Sequence, residues 1–205
     1  MHIKYFLLPV ACIMAAVLLI SCQKNLGDGN GGVPAVGQKP KLGTTWYYRF
    51  DTYYPNGGLI NSVSRVYKAV SEETYGGEKW LNIIDVDADT TVYFLNAKAG
   101  GLYQYSNSNS NLLCKYPAAI NDTYTSFNDG SPETFTVRGV NDTLATGIGD
   151  IPLNNYEGVK TGYIIDLIWY NDNAWIVWET RYFKSPDPPI RYYLYSKMFI
   201  NKIVY

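Results

Sequence analysis

One histidine occurs in the 205 residues, and it is His2. Beyond the first two positions the chain has no imidazole. This excludes Ser-His-Asp triads, His-ligated zinc and imidazole general bases. Charge is also sparse: 17 basic and 18 acidic residues give a net charge of −1, and the basic ones are scattered among acids and turns. Nucleic-acid binders carry a clustered basic patch, so that class is set aside. No P-loop, no glycine-rich dinucleotide fingerprint and no Gly-x-Ser-x-Gly elbow is present. There is neither an internal repeat nor a long amphipathic helical pattern. Asp85-Val86-Asp87-Ala88-Asp89 resembles the opening of a calcium loop, but Thr90 stands where glycine is needed and Asn96 where the last Glu would be. The segment is read as a solvated turn, and no metal or cofactor is expected.

The apolar, uncharged segment near the N-terminus, Tyr5 to Ile20, has sixteen residues and contains Pro9. That is short for a spanning helix, which needs about 20 apolar residues. With Lys4 before it, the run has the layout of a signal peptide. Leu19-Ile20-Ser21-Cys22 at its end resembles the lipobox of bacterial lipoproteins. That resemblance implies cleavage before Cys22, diacylglyceryl attachment to its sulfur and acylation of the new amino terminus. Two or three acyl chains, at about 0.8 kcal/mol per buried methylene, make a lasting anchor. The mature protein is therefore expected to be tethered to a membrane, not to span it. Processing would remove His2 and Cys12, and with Cys22 lipidated, Cys114 has no disulfide partner. Its context, Leu112-Leu113-Cys114, is that of a buried, inert thiol.

Three regions follow: a lipoprotein signal peptide at 1–21, the lipidated cysteine and a flexible tether at 22–41, and one globular domain at 42–205. The tether, rich in Gly and Asn, cannot bury a core. Its nineteen residues after Cys22 have a root-mean-square span of about 24 Å and a reach of about 60 Å. From Leu42 the composition turns to Tyr, Trp, Ile and Val in short runs broken by turn signals such as Pro55-Asn56-Gly57-Gly58, Gly76-Gly77, Ser106 to Asn111, Asn141-Asp142 and Asn171-Asp172-Asn173. Strands are expected at 45–53, 62–71, 79–86, 91–97, 102–106, 134–140, 159–170, 174–183 and 191–196, with another after Met198. The fold class is all-β, an antiparallel sandwich or barrel. Rings on both faces of the strands, as in Trp46-Tyr47-Tyr48, suit either two packed layers or a barrel with an apolar interior.

A two-residue turn pairing Asn171 with Ala174 would place Tyr163, Ile165, Leu167 and Trp169 opposite Tyr182, Thr180, Trp178 and Ile176, on a face that reads as core. The other face would carry Asp166 beside Glu179, with Arg181 diagonal to Asp166, and Tyr170 and Trp175 nearby. Three readings apply to Asp166, Tyr170, Trp175, Glu179 and Arg181. They form a structural ion cluster with packed rings; or a carbohydrate platform of stacking rings and hydroxyl-binding side chains; or Asp166 and Glu179 are the acid and base of a glycoside hydrolase.

Gly43-Thr44-Thr45-Trp46-Tyr47-Tyr48, Gly101-Leu102-Tyr103-Gln104-Tyr105, Leu112 to Pro117 leading to Asn121-Asp122-Thr123-Tyr124, and Tyr192 to Tyr195 resemble the uncharacterised all-β outer-membrane lipoproteins of Bacteroidota. The chain departs from their glycine-containing ending at Met198 to Lys202. The resemblance implies an outer-membrane anchor but no established activity, so no catalytic residues carry over from it. Asp89-Thr90-Thr91 and Asp142-Thr143-Leu144 are similar to that phylum's O-glycosylation sequons. The expectation is a non-enzymatic, lipid-anchored envelope protein acting as a binding or interaction module whose ligand the sequence does not identify, a glycan or an envelope protein being the candidate partners. A surface glycan-binding protein and a carboxylate-dependent glycoside hydrolase are the alternatives.

Overall fold

The computed structural model describes residues 34, 37–127, 131–160, 164–184 and 191–205. The signal-peptide and lipobox readings, Cys22 and the tether as far as residue 33 lie outside the described residues. Among the described residues, twelve strands make one antiparallel sheet. They are β1 (Thr45–Tyr53), β2 (Leu59–Tyr75), β3 (Glu78–Asp85), β4 (Thr90–Lys98), β5 (Gly100–Ser106), β6 (Asn109–Tyr116), β7 (Thr123–Ser126), β8 (Glu133–Thr146), β9 (Gly149–Lys160), β10 (Ile164–Asn171), β11 (Trp175–Lys184) and β12 (Tyr192–Val204). The order β6-β5-β4-β3-β2-β1-β12-β11-β10-β9-β8-β7 is an up-and-down meander whose first and last strands pair at its middle. The sheet curls into a nearly closed barrel, which decides between the two architectures expected from the sequence.

The seam of the barrel falls between two consecutive strands, β6 and β7, which share no ladder. Side chains close its lower part. The Tyr124 hydroxyl donates to the Leu113 carbonyl at 2.8 Å, the Tyr156 hydroxyl donates to the Lys115 carbonyl, and Lys115 pairs with Asp122 at 2.9 Å.

Period-2 alternation fills the interior. Trp46 and Tyr48 of β1 are buried, as are Tyr67 and Ala69 of β2, Ile83 of β3 and Leu95 of β4. Across the barrel, Trp46 stacks on Trp175 with centroids 5.6 Å apart and donates from Nε1 to the Ala174 carbonyl at 3.0 Å. The Tyr48 hydroxyl donates to the Ile176 carbonyl at 2.8 Å. The two walls are thus joined by hydrogen bonds as well as packing. A cavity of about 20 Å³ remains between Trp46, Tyr48, Tyr67, Tyr93, Leu95 and Met198, room for about one water. Side chains occupy this part of the barrel, and no guest of acyl-chain size fits there.

Several boundaries differ from the sequence reading. The segment 106–111, read as a turn, is a two-residue turn at Asn107 and Ser108, both with positive φ, that opens β6 at Asn109. β7 was not anticipated. Asn141-Asp142, also read as a turn, is a break in register inside the long β8, with Asn141 at φ 58°. The reversal comes at Gly147, which lies against β12 so closely that a Cβ would stand 2.5 Å from the Asn201 Cα. The run 159–170 divides into the end of β9 and β10, and 191–204 is one strand from Tyr192.

Candidate functional site

The β10–β11 hairpin brings the predicted carboxylates and arginine together, in a register two residues from the expected one. Asn171 pairs with Trp175, not Ala174, so the loop has three residues. The Asn171 side chain causes this: its Oδ1 accepts from the backbone N–H groups of Asn173 (2.8 Å) and Ala174 (3.1 Å). A bulge between Trp169 and Tyr170 adds the second step. Asp166 then stands directly opposite Arg181, and Ile168 opposite Glu179. An even shift preserves the face, so Asp166, Glu179 and Arg181 still share one side of the sheet.

That side is the interior. Asp166, Ile168 and Tyr170 are 5%, 3% and 1% exposed, whereas Leu167, Trp169 and Trp178 on the other side are half-buried. The face read as core is therefore divided: Leu167, Trp169 and Trp178 lie on the outer side, whereas Ile176 lines the interior cavity and Thr180 is buried. The outer face carries a cross-strand row in which Trp169 packs on Trp178 at 5.8 Å, Trp178 on Phe199 at 5.7 Å, and the Arg49 guanidinium lies 5.5 Å from the Phe199 ring.

Inside, Arg181 holds both carboxylates. Its Nε donates to Asp166 Oδ1 at 2.7 Å, and its Nη2 to Asp166 Oδ2 and Glu179 Oε1, each at 3.2 Å. Burial works against the Arg181 charge. The Asp166 bonds and charge, together with the charges of Glu179 and Glu133, more than offset this and hold the guanidinium well above its usual range. Burial pushes Glu179 up to about 7, with Arg181 opposing the shift and Asp166 adding to it. Tyr93 and Tyr67 complete the surroundings. Burial raises both phenols and Glu179 adds to it; Tyr67 is raised to about 12. Tyr67 and Tyr93 were not singled out from the sequence, where they read as ordinary strand residues.

Tyr170 and Trp175 are at the other end of the hairpin. The Tyr170 hydroxyl donates to Asp172 Oδ1 at 3.0 Å, and Trp175, at φ 68° and 3% exposed, is stacked on Trp46. Neither ring presents an open face for stacking. Cys114 is buried, and desolvation raises its thiol pKa well above the ordinary value, with Glu179 adding to it. Asp85 accepts from the N–H groups of Asp87 and Ala88 and pairs with Arg65 at 3.3 Å, which makes its loop a side-chain-capped turn.

No family model and no curated protein matches the sequence. Among solved structures, the chain is similar to a Bacteroides fragilis protein described as exported, with a YmcC-like fold. The two share 13% identity over 82% of this chain and 98% of that one, with a TM-score of 0.46.

Proposed function

We propose that this chain is a non-enzymatic, lipid-anchored protein of the cell envelope, held at the outer membrane through Cys22, with its barrel serving as a binding module. The anchor rests on Leu19-Ile20-Ser21-Cys22. The observation that carries the non-enzymatic part is the Arg181 clasp: the carboxylate pair suited to acid–base work, Asp166 and Glu179, is engaged by one internal guanidinium. Binding chemistry then belongs to the outside of the barrel.

One observation favours the hydrolase alternative. Burial pushes the Glu179 carboxyl up to about 7, into the range that suits a general acid. Incubation of the full chain with a polysaccharide panel, scored for new reducing ends, tests the choice. The proposal expects none. Release that disappears in both Asp166→Asn and Glu179→Gln would replace it with the hydrolase.

A further inference from the structure

Among the described residues, no side-chain hydrogen bond or ion pair closes the upper part of the β6–β7 seam. It opens into a depression of about 520 Å³ between the β5–β6 turn and the end of β7, within the usual size of a small-ligand site. Its lining has two aromatic rings, Tyr103 and Phe127, and a polar wall of Ser110, Asn107, Asn109 and Asn111. No charged side chain lines it among the described residues. Lys98, which touches Ser110 Oγ at 3.1 Å and lies 4.4 Å from the centre of the Tyr103 ring, is paired with Glu78.

We infer that this seam depression is a binding site for a neutral carbohydrate. Amide and hydroxyl groups match sugar hydroxyls, rings match the apolar faces of sugar rings, and the described lining residues carry no charge for an anion or cation. The wall is set before any ligand arrives. Asn109 Nδ2 donates to the Asn107 carbonyl at 2.8 Å and Asn111 Nδ2 to Ser106 Oγ at 2.9 Å. Neither amide oxygen accepts a hydrogen bond among the described residues, so both remain available as acceptors. Fixed amides lose little freedom on binding. Phe127 is 45% exposed, a large ring at the rim that the fold itself does not bury. An extended peptide added as a strand fits less well, because lower on β6 the Leu113 and Lys115 carbonyls are already taken by Tyr124 and Tyr156.

The inference rests on the binding-module reading for its role, but it fails separately from the anchor: loss of lipidation would leave the depression's affinity intact. The test is isothermal titration calorimetry of the full chain in detergent against neutral gluco-, manno-, galacto- and xylo-oligosaccharides, with oligogalacturonate as the acidic comparison. One neutral series should saturate at one site per chain. Phe127→Ala and Asn109→Ala should each weaken it about tenfold or more with the melting temperature unchanged, while Trp169→Phe on the far wall should leave it as it was. No neutral series binding, preference for oligogalacturonate, displacement by a β-strand peptide, or affinity indifferent to both seam substitutions would each overturn the inference.

Discussion

Asp166 and Arg181 face each other across β10 and β11 and are joined at two points, Nε to Oδ1 at 2.7 Å and Nη2 to Oδ2 at 3.2 Å. The Asp166 side chain is 7% exposed and that of Arg181 36%. Removing the acid leaves a guanidinium in the barrel with only Glu179 in hydrogen-bond range among the pairs described. Asp166→Ala should lower unfolding stability by about 3 kcal/mol, seen as a lower urea midpoint with an unchanged slope. A double substitution to a well-packed apolar pair, Asp166→Leu with Arg181→Met, should recover much of that loss.

Glu179 makes stability depend on pH in the direction opposite to most carboxylates. Its folded-state pKa is raised to about 7, above the ordinary 4.5 of a glutamate, so between these values the folded chain holds a proton that the unfolded chain releases. Its contribution to stability is complete below about 4.5 and is lost as pH rises through 7. Glu179→Gln, which cannot ionise, should flatten thermal stability between pH 5 and 8. At pH 8 it should be the more stable protein by on the order of 1–3 kcal/mol, allowing for the 22% of the side chain that stays exposed.

The stacked indoles should respond unequally. Trp46 Nε1 donates to Ala174, whereas buried Trp175 Nε1 has no acceptor among the described residues. Trp46→Phe should cost about 1–3 kcal/mol by leaving the Ala174 carbonyl unpaired, and Trp175→Phe less than about 1 kcal/mol, both read from chemical denaturation.

Gly158 pairs with Asp166 on one side and Phe135 on the other. A Cβ there would stand 2.3 Å from Glu133 Oε1 and 2.5 Å from the Phe135 ring. Gly158→Ala should therefore destabilise by about 1–3 kcal/mol, more than a propensity change in a strand would suggest, and a melting curve checks it.

The all-β class and most of the first five strands were legible because Trp46, Tyr48, Tyr67 and Ile83 alternate cleanly and Gly76-Gly77 marks its turn plainly. The clustering of Asp166, Glu179 and Arg181 was legible too, because parity survives a two-residue slip. Their exact pairing was not: Asn171-Asp172-Asn173 marks a turn but leaves two- and three-residue loops open, and the bulge at Trp169 has no sequence signature. Which face lies inside was hidden for a different reason. Both faces of β10 and β11 are apolar, and the barrel buries the one that carries the charges because Arg181 neutralises them there. β6 and β7 were missed because Asn107 to Asn111 is too polar, and Thr123 to Ser126 too short, to stand out. The seam between them, and the depression in it, follow only from closing the sheet.

The claim on which the account turns is the anchor at Cys22. Mass spectrometry of the N-terminal peptide from protein made in its native host measures it directly. The account predicts a chain beginning at Cys22 with its sulfur carrying diacylglycerol and its amino group acylated. A first residue other than Cys22, or Cys22 with an unmodified thiol, would contradict it.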